Sequence, residues 1–184
     1  MERLPINQRL LAFTDVETTG LNPDLHEIIE IGLVLVSQPT LVTVAELDLK
    51  VQPRYLERAE EKALQVNGFE VAAWEGAFSA TAALEAYAAP TSGAIFVAHN
   101  ITHDWAFVRR AFADAGVTSR LDHRRLDLMS MAWYALVPRG LKRLALKDVA
   151  EFIGLPPEPE VHRAINGARL AADVYRSLQP LPGS

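Results

Sequence analysis

Apolar residues fall along this chain in two kinds of pattern. Dense, short runs come first. Residues 10–16, Leu-Leu-Ala-Phe-Thr-Asp-Val, stop at the turn-rich Thr18-Thr19-Gly20-Leu21-Asn22-Pro23 and predict a buried strand followed by a loop. Residues 28–36 form a second run, broken by Ser37-Gln38-Pro39-Thr40, and residues 41–51 alternate as a strand with one wetter face does. Short connections between these three imply an antiparallel meander. The pattern then changes. Helices are expected over 54–66 and over 78–89, the latter ended by Pro90, with a fourth strand at 94–98. A helix over 104–115 stops at Gly116, and further helices are expected at 127–137, 144–153 and 163–178. The Pro-rich residues 155–159 separate the last two, and residues 179–184 read as a flexible tail.

No repeat and no long linker divides the chain, so residues 1–184 are expected to form a single α/β domain. Hydrophobic residues make up 49% and charged ones 22%, a globular rather than a disordered balance. No cysteine is present, which excludes disulfides, zinc–thiolate sites and thiol nucleophiles. No segment approaches the roughly 20 apolar residues that cross a bilayer. Met1-Glu2-Arg3-Leu4-Pro5 lacks the design of a signal peptide, so no membrane role and a cytoplasmic location are expected. The net charge of −5 argues against bulk coating of nucleic acid, but leaves room for a local grip on a few nucleotides.

Three clusters carry candidate chemistry. Asp15 and Glu17 lie two apart at a strand end, so both side chains leave one face of the sheet. Paired carboxylates beside apolar residues repel unless a cation lies between them, and Mg²⁺ or Mn²⁺ takes such oxygen donors. Standing alone, the pair describes a solvated strand end equally well. His99-Asn100-Ile101-Thr102-His103-Asp104 follows the fourth strand and brings a third carboxylate, or simply a first-turn helix acid. His162-Arg163-Ala164 opens the last helix, and a histidine there is either a general base near neutral pH or an ordinary surface residue.

Together the motifs Asp-x-Glu-Thr-Thr-Gly-Leu, His-Asn-x-x-x-Asp and His-Arg-Ala resemble, in order and spacing, the DnaQ-like (DEDDh) 3′–5′ exonucleases. That family includes the proofreading subunits of bacterial replicative polymerases. The likeness runs over essentially the whole chain, with smaller echoes at Val66-Asn67-Gly68-Phe69, Asp127-Leu128 and residues 144–150. It implies a ribonuclease H-like fold, with a mixed central sheet of three antiparallel strands plus parallel ones, flanked by helices. It also implies hydrolysis at the 3′ end of single-stranded nucleic acid, DNA favoured, with release of nucleoside 5′-monophosphates.

By the same resemblance, Asp15, Glu17 and Asp104 are metal ligands for two Mg²⁺ or Mn²⁺ ions and His162 is the general base. Thr18, Thr19, Gly20 and Leu21, with His99, Asn100 and His103, are substrate-binding, and a polymerase subunit is an implied partner. The chain departs from the pattern at the fourth ligand. The family reads His-Arg-Ala-x-x-Asp, with its fourth carboxylate five residues after the histidine, and that position is here Gly167, beside Asn166. Asp173 lies six residues further on, about 9 Å along a helix and turned away. Impaired cleavage is therefore expected, and the alternative is an inactive module that binds nucleic acid or a polymerase. His103 is a second departure, at a position where the family commonly has Phe. Arg109, Arg110, Arg139, Lys142, Arg143 and Lys147 are candidates for phosphate contacts or merely solvated.

Overall fold

The computed structural model describes residues 4–156 and 163–179. Its centre is a five-stranded sheet in the order β3-β2-β1-β4-β5. β1 (Leu11–Thr18), β2 (Ile28–Val36) and β3 (Thr43–Lys50) are antiparallel neighbours. β4 (Ile95–Ala98) and β5 (Arg125–Asp127) extend the sheet in parallel beyond β1. The mixed sheet implied by the resemblance is thus the one observed. β2 is buried at every position, as its unbroken apolar run requires, whereas the edge strand β3 carries Glu46, Asp48 and Lys50, charges that discourage pairing with another chain.

Alternation sorts the strand residues onto two faces. Leu11, Phe13, Val34 and Val97 pack against α4 (Leu128–Leu136), α5 (Leu146–Phe152) and α6 (Ala164–Leu178). Ala12, Leu33, Leu35 and Phe96 pack against α2 (Ala80–Ala88) and α3 (Ile101–Ala115). α6 comes unusually close to the sheet. A Cβ at Gly32 would lie 2.1 Å from the Ala164 carbonyl oxygen, so glycine is what lets the start of α6 rest on β2. Gly32 is the cross-strand partner of Asp15, and the helix therefore descends directly over the first candidate carboxylate.

Two expectations are corrected. Residues 54–66 are not one helix: a single 3-10 turn at Leu56–Arg58 precedes a short α1 (Glu61–Val66). Between them Glu60 is extended and its N–H donates to the Thr19 carbonyl at 2.7 Å, a tertiary bond that interrupts the helix. The second correction is β5, whose three partly exposed residues are too short for a periodic signal. α3 also begins at Ile101, so Asp104 is in its first turn, and it ends at Gly116 (φ 66°) as expected. Most of the Pro-rich segment and of the expected tail lies outside the described residues. Among the described residues no helix is long and apolar enough to cross a membrane.

Candidate active site

β1 and β4 pair only from Leu11 to Phe13, after which the two strands part. The far half of β1 is thereby left with an open edge, and its backbone needs partners. Asp104 provides one: its Oδ1 accepts the Val16 N–H at 3.1 Å. The chain reaches Asp104 through His99 and Asn100, the latter in the left-handed conformation (φ 62°, ψ 57°) that turns the strand end into α3. Asp104 is buried, and burial pushes its carboxyl up to about 7 against the lowering effect of the Val16 hydrogen bond. An acid held in this state becomes an anion readily only when positive charge is near.

Asp15 and Glu17 are half-buried on the α6 face of β1. A Cβ added at Gly167 would lie 2.5 Å from Asp15 Oδ2 and 2.8 Å from its Cγ. Position 167 thus sits against the Asp15 carboxylate, and the Asp15 side chain occupies the room that a side chain at 167 would need. Asp173, by contrast, is exposed and accepts a hydrogen bond from Arg176 at 2.7 Å.

Glu17 faces Glu30 across the antiparallel pair. Glu30 is 1% exposed, and burial raises its pKa while Arg163 lowers it. Arg163 reaches both its oxygens, Nε to Oε2 at 3.0 Å and Nη2 to Oε1 at 2.9 Å, and the Ala164 N–H donates to Oε2 at 3.3 Å. This ion pair fixes the beginning of α6 to the sheet. It escaped the sequence reading, although a lone acid inside Ile-Ile-Glu-Ile signals a buried charge in want of a cation.

The loop after β1 is tightly anchored. Thr18 Oγ1 donates to the Gly20 carbonyl, Thr19 Oγ1 accepts from the Glu27 N–H, and Asn67 Nδ2 donates to the Thr18 carbonyl at 2.9 Å. Gly20 is covered by the His26 ring, which a Cβ would meet at 2.4 Å. Both threonine hydroxyls are occupied within the loop, so backbone groups and the 76% exposed Leu21 are what it offers to a ligand. His99 Nε2–H donates to the Leu144 carbonyl at 2.6 Å, and burial lowers the pKa of the ring. His103 is half-buried against Phe107, ring centroids 5.0 Å apart, and burial lowers its pKa too. His162 lies outside the described residues.

Asp127 is a second residue the sequence reading undervalued. Its Oδ1 accepts the Ile101 N–H at 3.2 Å, and its Oδ2 accepts the Ser130 N–H at 3.0 Å and the Ser130 hydroxyl. One carboxylate therefore caps both α3 and α4. Burial works against its charge, but these hydrogen bonds prevail and hold its pKa down.

Among the described residues, Asp15, Glu17 and Asp104 bring oxygen donors to β1 or its open edge, which suits a hard cation such as Mg²⁺ or Mn²⁺. Among the described residues no group of three or more acidic or histidine side chains is arranged to hold a metal ion. Asp104 directs one oxygen to Val16, and Asp15 leans over Gly167. The donor chemistry fits a divalent cation, while a full four-carboxylate set is not available, because position 167 carries no side chain.

The exonuclease family model of the ribonuclease T type matches residues 12–175. The chain belongs to the DnaQ-like exonuclease family. It is 31% identical over 163 residues to the PolC-type DNA polymerase III of Thermotoga petrophila, a match covering 88% of this chain and 11% of that protein. It is 27% identical over 181 residues to the 3′-5′ exonuclease DinG of Staphylococcus aureus, covering 93% of this chain and 19% of that one. The chain thus spans only 11% and 19% of the length of these longer relatives. Among solved structures, E. coli exonuclease I in complex with single-stranded DNA superposes with a TM-score of 0.78 at 17% identity, over 92% of this chain and 40% of that one. The fold is ribonuclease H-like.

Proposed function

We propose that this exonuclease-family chain removes nucleotides from the 3′ end of single-stranded DNA, releasing nucleoside 5′-monophosphates, at a rate held down by Gly167. The observation that carries the reading is the meeting of Asp15, position 167 and the β1 edge that Asp104 closes. Support also comes from E. coli exonuclease I, solved with single-stranded DNA, and from the 3′-5′ exonuclease of S. aureus.

Asp15, Glu17 and Asp104 would be the residues to hold a divalent cation, which when bound would supply Lewis-acid activation of the phosphodiester. The chain's own residues do the rest. The backbone of Thr18–Gly20 and the Leu21 side chain receive the terminal nucleotide, and the anchoring by Asn67 and Glu60 keeps that loop rigid. His162 accepts the proton of the attacking water as its oxygen bonds to phosphorus and the bond to the leaving 3′-oxygen breaks. The Glu30–Arg163 pair holds the residue next to His162 in place.

Gly167 also favours a second reading, a module that binds a 3′ end or a polymerase without cutting. A 5′-labelled single-stranded oligonucleotide incubated with Mn²⁺ separates them. A ladder that shortens from the 3′ end, and vanishes in Asp15→Asn, supports the nuclease. Silence on both DNA and RNA, persisting in Gly167→Asp, supports the module.

A further inference from the structure

α4 carries a feature that the candidate site does not use. Met129, Ser130, Trp133 and Leu144 line a shallow depression, and Trp133 is 60% exposed. Its neighbours on the helix, Ala132 and Leu136, are fully buried, so α4 is anchored by one face and presents the indole on another. The depression adjoins the end of the sheet where Asp104 lies. Ser130 is bonded to Asp127, which also caps the helix of Asp104. From the other side, the Leu144 carbonyl is the partner of His99, the residue that leads out of β4.

The segment that supplies Leu144 is positively charged. Residues 138–147, Pro-Arg-Gly-Leu-Lys-Arg-Leu-Ala-Leu-Lys, hold four basic residues and no acid in a chain of net charge −5. Arg139, Lys142, Arg143 and Lys147 are all exposed. Arg143 pairs with Asp148 at 3.1 Å, and among the described residues the other three form no ion pair. Arg110 is different: it is bound to Asp114 and Asp24, which removes it from the candidates for phosphate contact. An exposed indole, with a basic segment leading from its helix to Leu144, matches what a single strand offers, a base face to stack and phosphates to neutralise.

We propose that the Trp133–Leu144 depression, with Arg139, Lys142 and Lys147 of the segment that supplies Leu144, is a second nucleotide subsite that stacks an internal base of a single strand whose 3′ end lies at Asp15 and Asp104. The proposal rests on the nuclease reading above. A dinucleotide reaches only the first site, and a longer strand engages both.

The test is an isothermal calorimetric titration of the whole chain with two cleavage-resistant phosphorothioate oligothymidylates. One is a dinucleotide, the other of about twelve nucleotides, within the ~4–16 that single-strand sites cover. Trp133→Ala is expected to weaken the long strand about five- to 150-fold and Trp133→Phe much less, since stacking is worth ~1–3 kcal/mol per base. The dinucleotide is expected to bind all three alike. Lys142→Glu is expected to lower the salt dependence of long-strand binding, with a slope reduced by about 0.7. Long-strand binding that is equally tight in Trp133→Ala overturns the subsite and leaves the nuclease reading standing. A dimer of the native chain that Trp133→Ala disperses, with oligonucleotide binding unchanged, reassigns the depression to a second copy. Failure of the native chain to bind either oligonucleotide overturns the nuclease reading, and the subsite with it.

Discussion

Arg163→Met should destabilise the fold severely, through a residue the reaction does not need to touch. Glu30 is 1% exposed, faces Glu17 across the strand pair, and has Arg163 as its cation at 2.9 and 3.0 Å. Removing the guanidinium leaves a carboxylate in a low-dielectric position with a second acid beside it. Breaking a buried pair in this way costs about 3–5 kcal/mol. The lower end applies, because the Arg163 side chain is 31% exposed and partly screened. About 3 kcal/mol corresponds to a fall in Tm of roughly 6–12 °C for a domain of this size. The pH dependence has a definite sign. Burial already raises the Glu30 pKa above 4.5, and loss of Arg163 raises it further. A raised acid is least costly where it is protonated, so the deficit of the variant should shrink as pH falls toward 4.5. The double variant Glu30→Met/Arg163→Met, which buries no charge, should recover most of the loss. Thermal unfolding followed by circular dichroism across pH 4.5–8 is the assay. A single variant within about 1 kcal/mol of the native chain at pH 7, or a deficit that does not depend on pH, would refute the reasoning.

Three further outcomes follow from the same geometry. Asp104→Asn, which keeps an acceptor for the Val16 N–H, should abolish cleavage yet stabilise the metal-free protein at pH 8. The native carboxyl near 7 favours the fold below about pH 4 and loses that contribution as pH rises through 7, so the gain is bounded at about 4 kcal/mol and should fade in acid, measured by denaturant unfolding with chelator. Gly32→Ala should cost about 3 kcal/mol or more, because its Cβ meets the Ala164 backbone at 2.1 Å and neither β2 nor α6 can yield cheaply; thermal unfolding reads this directly. Asn67→Ala should cost about 1–2 kcal/mol by leaving the Thr18 carbonyl without its buried donor, and it should raise KM more than it lowers kcat, which steady-state kinetics on a single strand would show.

The parts of the fold visible in the sequence are those whose pattern is long or sharply ended. β2 reads as one apolar run, and α3 stops where Gly116 adopts a positive φ. β5 was hidden because three residues give no period, and the break at Glu60 because its cause is a hydrogen bond to Thr19, far away in the chain. The site shows the same division. Asp15 and Asp104 stood out as acids beside apolar strands. Glu30 gave the same local signal, but its partner is 133 residues distant and only the fold brings the two together. Asp127 caps two helices because Asn100 turns in the left-handed region and leaves the Ile101 N–H in need of an acceptor, a circumstance no spacing rule announces. Gly167 was legible as a missing side chain; that Asp15 leans into the space is a fact of packing alone.

The central claim is that this chain is an exonuclease scaffold short of one carboxylate at position 167, and Gly167→Asp tests it most directly. The new Cβ would fall 2.5 Å from Asp15 Oδ2, so the short Asp15 side chain must swing aside, a motion that a shared cation favours and two bare carboxylates resist. Single-turnover digestion of a 5′-labelled single strand, native chain and variant side by side at equal Mn²⁺, should show the variant faster by about a hundredfold or more. An equally rapid native chain, or a correctly folded variant with no gain, would contradict the account.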